Sequence, residues 1–348
     1  MFLKWSSSSI SRIFFVLSIP TVLFAATYYV APDGQGSDSN PGTLQEPWAT
    51  ETKAENTVQP GDTVYFLDGK HTLDSDDKLA VPLSGNSSDP ITFAALNQGK
   101  AILFGAVAPQ VATTQGYDHI IFDGFVIKSA ANNQGPFIRL HGFNNTVKNC
   151  EFIADFDNPD HGNNPAIYVP NQGGSNLLIK NNYIEGYKGG LGHEGICFYN
   201  VEDTIIEQNT IVDCHTGVNF KTNERNCTVR KNHIYDMDAK GVGIYVGDNP
   251  NLWHRNNKIY QNIIHNIKKQ AIHIYVMSDD TGMDKNTTIY NNVMHNVRTF
   301  ISSNDMYRVN ATRFYNNIGL NSNPVAINAP NDNSIYYWDY NLYYNWTG

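Results

Sequence analysis

The chain has 348 residues, 41% hydrophobic and 16% charged, with 24 Lys and Arg against 33 Asp and Glu for a formal charge of −9. That is enough apolar material for one large core or two ordinary ones, while the acidic balance argues against nucleic acid, whose phosphates demand clustered cations. The 20 Tyr and 17 Phe exclude a disordered chain, and no apolar run of about 20 residues beyond the N-terminus supports a polytopic membrane protein.

In chain order, residues 1–26 carry Lys4 and Arg12, an apolar run from Ile13 to Phe24, and then Ala25-Ala26. This is the order of a secretory signal peptide, and a run of about 12 residues is too short to span a bilayer. An exported protein, extracellular or periplasmic and without other membrane attachment, is the expectation. Cys150, Cys197, Cys214 and Cys227 then allow either two disulfides or free stacked thiols. Residues 27–105 read as an N-terminal cap with the first coils. They contain Tyr28-Tyr29-Val30-Ala31-Pro32-Asp33-Gly34, Gly36-Ser37-Asp38-Ser39-Asn40-Pro41-Gly42-Thr43, Pro47-Trp48-Ala49-Thr50, Pro60-Gly61-Asp62-Thr63-Val64-Tyr65 and Pro90-Ile91-Thr92-Phe93. Glu51 to Val58 lacks the apolar spacing of a well-formed capping helix.

Residues 106–348 are organised by repetition. Leu178-Ile179-Lys180-Asn181-Asn182-Tyr183-Ile184 returns as Ile205-Ile206-Glu207-Gln208-Asn209-Thr210-Ile211 and as Thr228-Val229-Arg230-Lys231-Asn232-His233-Ile234, with further copies around Asn262, Asn292 and Asn317. A unit of about 22–30 residues, built of short alternating strands, is a coil of an all-β, parallel β-helix. Stacked coils put equivalent residues in columns at the strand spacing of about 4.8 Å. The 43 asparagines, far above an average share, then have a structural reading. Asn182, Asn209, Asn232, Asn262, Asn292 and Asn317 form a column at a bend, where amides pair with one another and tolerate the left-handed backbone.

A second phrase precedes each of these, as in Gly195-Ile196-Cys197-Phe198-Tyr199 and Gly217-Val218-Asn219-Phe220-Lys221. Alternation sends its aliphatics inward and leaves two outward columns. One reads Phe137, Tyr168, Cys197, Asn219, Gly243, His273; the other reads Arg139, Pro170, Tyr199, Lys221, Tyr245, Tyr275. Tyr and Arg combine flat apolar area with polar tips, which suits sugar rings and their hydroxyls, and the coil spacing approximates one saccharide. Stacking for stability alone is the competing reading. Lys221, between Tyr199 and Tyr245, is expected to have a lowered pKa and to act as a base, with Arg225 as a cationic neighbour. His193 and His215 are expected one strand spacing apart beside this groove, as acid/base groups, metal ligands or a ladder. Glu194 and Asp213 flank the same turn, as a Ca²⁺ site or a carboxylate pair. Arg139, some three coils away, suits a uronate carboxylate further along a polymer.

The opening phrases between Tyr28 and Phe93, with the coil pattern behind them, resemble secreted right-handed parallel β-helix proteins, and most of all the pectate lyases of polysaccharide lyase family 9. That resemblance implies a groove lysine that removes the proton beside a uronate carboxylate while Ca²⁺ neutralises the carboxylate. Lys221 stands where such a lysine could be. The aspartate cluster that would cage calcium is not evident, since Asp155, Asp157 and Asp160 fall two to three coils away. Three readings follow, each for a monomer. In the first, a lyase cuts an acidic polysaccharide using Lys221, with His193 or His215 assisting, Ca²⁺ at Glu194 and Asp213, and Arg139, Tyr199, Asn219, Arg225, Tyr245, His273 and Tyr275 binding polymer. In the second, a glycoside hydrolase uses Glu194 and Asp213. The third is a non-catalytic carbohydrate-binding surface protein.

Overall fold

A computed structural model describes residues 25–73, 78–105, 112–129, 138–154, 165–188, 192–246, 253–276, 283–303, 309–310, 312–321 and 335–344. Residues 1–24, and with them most of the expected signal peptide, lie outside the described residues, as do Asp155, Asp157, Asp160 and Phe137. One turn of the chain runs through Glu194–Phe198, Val201–Glu202, Ile205–Glu207 and Thr210–Val212 before Thr216–Phe220 starts the next. Each strand pairs in parallel with its counterpart one turn on, which builds a 12-stranded sheet, an 18-stranded sheet and two short three-stranded sheets. Ile263–Val276 and Val293–Ser303 run unbroken across two faces and fuse them into the larger sheet. The expected parallel β-helix is the observed architecture.

Its core is a set of columns. Ile179, Ile206, Val229, Ile259, Ile289 and Phe314 lie in register on the 12-stranded sheet and are all fully buried. Ile196, Val218, Val242 and Ile272 do the same on the opposite side. Each such side chain contributes about 1.5–3 kcal/mol by leaving water. Gly195, Gly217 and Gly241 form a column in which a Cβ would come within 2.6 Å of Ile211, Ile234 and Ile264 respectively, so the backbone can approach the core there only without a side chain. The four cysteines are free and buried, which leaves thiols rather than disulfides. In place of an irregular cap, Glu51–Glu55 forms one helical turn: the Thr50 hydroxyl accepts from the Lys53 N–H at 3.1 Å, and Ala54 is fully buried. A capped end plus one buried contact suffices where apolar spacing is thin.

The asparagine column is a ladder. The Asn182 side-chain NH₂ donates to the Asn209 amide oxygen at 3.0 Å, and the same bond joins Asn209 to Asn232, Asn232 to Asn262, Asn262 to Asn292 and Asn292 to Asn317, at separations of 27, 23, 30, 30 and 25 residues. Each amide oxygen also accepts the preceding Asn backbone N–H, and each NH₂ also donates to a carbonyl one turn back. An amide can repeat indefinitely in this way because it is donor and acceptor at once. One detail differs from expectation. The left-handed backbone belongs to the residue before each ladder Asn: Asn181, Gln208, Lys231, Gln261, Asn291 and Asn316, with φ between 53° and 58°.

Asn232→Leu would orphan buried groups on both neighbouring turns, so a loss of about 2–5 kcal/mol in urea unfolding is expected. Lys231→Asn should instead raise stability by roughly 0.5–1 kcal/mol, since a long side chain at positive φ is strained and Asn tolerates it. Equal effects of the two substitutions would contradict the ladder's role.

Candidate functional site

The outward face of the strands Glu194–Phe198, Thr216–Phe220, Lys240–Val246 and Ile263–Val276 gathers most of the expected side chains. One column runs Arg139, Tyr168, Cys197, Asn219, Gly243, His273, Ser302 in direct register. Arg139 therefore stands beside Tyr168 and not in the Tyr199–Lys221 column expected for it. Its strand, Ile138–Arg139, has only two residues, too few for alternation to set the register. A further column comes from the residue just before the small-residue column: Glu194, Thr216, Lys240, Gln270, Thr299. Because Gly195 and its equivalents direct their Cβ positions inward, strict alternation fails there and the preceding residue faces out. Lys240 was not legible for that reason.

At the centre, Lys221 Nζ lies 2.9 Å from Glu194 Oε1, with side-chain exposures of 19% and 2%. The Asn219 NH₂ donates to the same oxygen at 2.8 Å. Burial alone would lower the Lys221 pKa, but the Glu194 carboxylate outweighs it and raises the amine above the ordinary lysine range. The expected lowering is thus reversed, and Lys221 rests as an ammonium. Lys240 is the amine that moves down: burial comes first, the Lys221 charge adds to it, and Glu194 only partly opposes them. Its side chain folds over Gly243, where a Cβ would stand 3.4 Å from Lys240 Cδ and 2.7 Å from the Asn219 amide oxygen. Its Nζ reaches to 5.9 Å from the Tyr275 ring centre.

Around this pair lie aromatic and neutral groups. The Tyr168 and Tyr199 rings meet edge to face at 5.9 Å, and burial, assisted by Cys197, pushes the Tyr199 phenol up to about 12, so it stays protonated. His273 is pushed down to about 4 by burial and then by Lys240 and Lys269. Burial also lowers His215, with Lys240 adding to the effect and Glu194 opposing it, and the His215 ring nitrogen Nδ1 is 3.3 Å from the Thr216 hydroxyl. At the far end Arg139 Nε donates to His141 Nε2 at 3.2 Å. Glu194 Oε2, Asn219 Oδ1 and Gln270 Oε1 are buried acceptors with no donor among the described residues. A ligand rich in hydroxyl groups would supply those donors.

Three expected members are elsewhere. His193 is fully buried, and its Nδ1 meets the Lys188 carbonyl oxygen, so it packs inside and does not line the wall. Asp213 sits in a left-handed turn (φ 59°) with its carboxylate on Lys188. Arg225 bridges to Glu202 at 2.9 Å along the short-sheet corner. Glu194 and Asp213 are thereby committed to different lysines, and among the described residues no three of His, Cys, Asp and Glu are grouped to hold a metal ion. The register pairs Tyr245 with Tyr275, while the Tyr245 side chain falls outside what is described.

Fold and wall together define a parallel β-helix protein with a long polar, aromatic-lined face. Residues 122–337 match the family model described as a right-handed β-helix region, and the chain belongs to that family; residues 28–188 match the Pel9A-like right-handed β-helix region. The chain is 28% identical over 163 residues to the uncharacterised protein YwoF of Bacillus subtilis (strain 168), a stretch covering 46% of this chain and 29% of that one. Among solved structures it superposes on pectate lyase Pel9A with a TM-score of 0.65 at 16% identity, over 89% of this chain and 80% of that one. It superposes on the GH136 lacto-N-biosidase of Eubacterium ramulus with a TM-score of 0.60 at 10% identity, over 91% and 67%. The fold is therefore shared with both a lyase and a glycoside hydrolase.

His273 sets a pH dependence. Its folded pKa of about 4 lies below the ordinary value near 6.5, so the unfolded chain takes up a proton that the native wall refuses. Stability is complete above about pH 6.5 and falls as pH drops toward about 4. In His273→Gln the fall in melting temperature over that window should be smaller than in the parent; an undiminished fall would contradict the placement of His273.

Proposed function

We propose that the protein is an exported polysaccharide lyase that holds a uronate-containing polymer along this wall and cleaves it by β-elimination. The observation that carries the reading is the adjacency of two lysines in opposite states: Lys221 kept as an ammonium by buried Glu194, and Lys240 shifted toward the free amine. Elimination needs both. An amine must take the proton from the carbon next to the carboxylate, and a fixed positive charge must stabilise the electron density that passes onto that carboxylate.

Lys240 takes the proton on C5; the C5–H electron pair forms the C4=C5 double bond; the C4–O bond breaks, and the departing oxygen receives a proton. Tyr199, protonated and at the wall, is the donor in this scheme. The base is thus Lys240 rather than Lys221. The three open acceptors at Glu194, Asn219 and Gln270 suit sugar hydroxyls, and Tyr168 and Tyr199 offer ring surface to the sugars. Support from relatives is limited to the shared fold. A hydrolase would need a second carboxylate within about 5–9.5 Å of Glu194, and Asp213 is paired with Lys188 instead.

Polygalacturonate, alginate and a glycosaminoglycan, each incubated with the protein, separate the readings. A lyase generates a double bond conjugated to the carboxylate, seen as rising ultraviolet absorbance, with kcat/KM increasing on the alkaline side as Lys240 deprotonates. Lys240→Ala should lower kcat by roughly 100-fold or more with little change in KM, a magnitude ordinary for loss of a general base. Reducing ends without absorbance would overturn the lyase reading in favour of a hydrolase, and polymer retention without either product would favour a binder.

A further inference from the structure

We propose that Lys221, fixed on Glu194, is itself the counter-charge for the substrate carboxylate, so that this wall binds uronate without a metal ion. The inference rests on the uronan reading above and departs from what the resemblance to family 9 lyases implies, namely a calcium ion in that role.

Among the described residues the donor set falls short of calcium. Ca²⁺ takes 6–8 oxygen ligands and relies on several carboxylates, whereas the site leaves open one carboxylate oxygen, on Glu194, and two amide oxygens, on Asn219 and Gln270. Glu194 is the carboxylate whose charge reaches Tyr168, Tyr199, Lys221 and Lys240 alike, and one of its oxygens already takes both an ammonium and an amide donor. A cation placed on Glu194 would meet Lys221 Nζ at 2.9 Å from the same carboxylate. Asp213, the other expected ligand, is bound by Lys188. Among the described residues no metal-ligating group of three exists anywhere.

The charge balance of the wall points the same way. Glu194 is already balanced by Lys221 at 2.9 Å, so among the described residues that pair keeps no net negative charge to hold a second cation, and Arg139 adds positive charge further along the face. The pair's geometry is suited to the task. Glu194 occupies one of the three ammonium hydrogens and leaves the others for a ligand, and the Asn219 NH₂ donates to the same carboxylate oxygen. Asn219 can lean there because position 243 is Gly; a Cβ at 243 would strike its amide oxygen at 2.7 Å. Arg139, three turns away and so about 14 Å along the axis, would take a carboxylate further along the same polymer.

The test measures retention and affinity together. Binding of polygalacturonate and alginate oligomers is followed by calorimetry in excess EDTA and in excess Ca²⁺, beside a calcium titration of the protein alone. Affinity is expected to agree within about twofold between EDTA and Ca²⁺. Lys221→Gln should weaken binding roughly 30-fold or more, as loss of a buried charged partner does. Because that variant leaves Glu194 unpaired and can misfold, the neutral pair Glu194→Gln with Lys221→Gln is measured too. It should keep the melting transition and still lose affinity. Binding abolished by EDTA and restored by Ca²⁺, or stoichiometric calcium uptake by the protein alone, overturns the inference while leaving the lyase reading intact. Metal-free binding without ultraviolet-absorbing product supports the inference and removes the lyase reading. No binding of either oligomer in either medium removes both.

Discussion

Parallel stacking at one strand spacing is the constraint from which everything else in the molecule follows. It forces each residue to tolerate its equivalents about 4.8 Å above and below, so a column survives only if its members suit one another. Aliphatic side chains do so by excluding water, and asparagine amides do so by pairing donor to acceptor through six successive turns. Columns built this way are uniform. The column through Arg139, Tyr168, Cys197, Asn219, Gly243, His273 and Ser302 is not, since no two neighbours are alike. A face that abandons the repeat on a scaffold that otherwise keeps it is shaped by something other than self-stacking.

Stability alone gives poor reason for the centre of that face. Burying Glu194 with Lys221 incurs desolvation of both groups, and such pairs are often no better than apolar residues of the same size. What the pair does achieve is electrostatic order. Glu194 holds Lys221 charged; that charge adds to burial in moving Lys240 toward its neutral form, while burial, with Lys240 and Lys269, moves His273. One buried carboxylate thereby fixes the charge of its lysine and, through that lysine, bears on Lys240. Asn219 and Gly243 keep it in place, the first by bonding Glu194 and the second by leaving room for the bond.

The solenoid was readable because its signal is repeated: inward aliphatics and ladder asparagines recur at intervals that chance does not produce. Tyr168, Tyr199, Asn219 and Lys221 were readable as wall residues for the same reason, since each lies within or one residue beyond an alternating strand. Arg139 was misplaced by two positions because its two-residue strand offers no periodicity. Lys240 was missed because glycine, lacking a side chain, lets the backbone turn its neighbour outward against the alternation. The pairings of Asp213 with Lys188 and Arg225 with Glu202 were illegible for another reason. They are contests between side chains brought together only by the coil path, and each was won by a partner that the local sequence does not reveal. The same holds for Lys221, whose state depends on a glutamate one turn earlier.

The central claim is that Glu194 keeps Lys221 charged while Lys240 is driven toward the free amine. Following the side-chain nitrogens of ¹⁵N-labelled lysine by NMR through an alkaline titration, with Lys221→Gln and Lys240→Gln to assign the signals, tests it directly. Lys221 should hold its proton beyond the ordinary lysine midpoint near 10.4, and Lys240 should release its proton below that midpoint, moving back up when Lys221 is neutralised. A Lys221 that titrates below the ordinary midpoint, or a Lys240 indifferent to the charge at 221, would contradict the account.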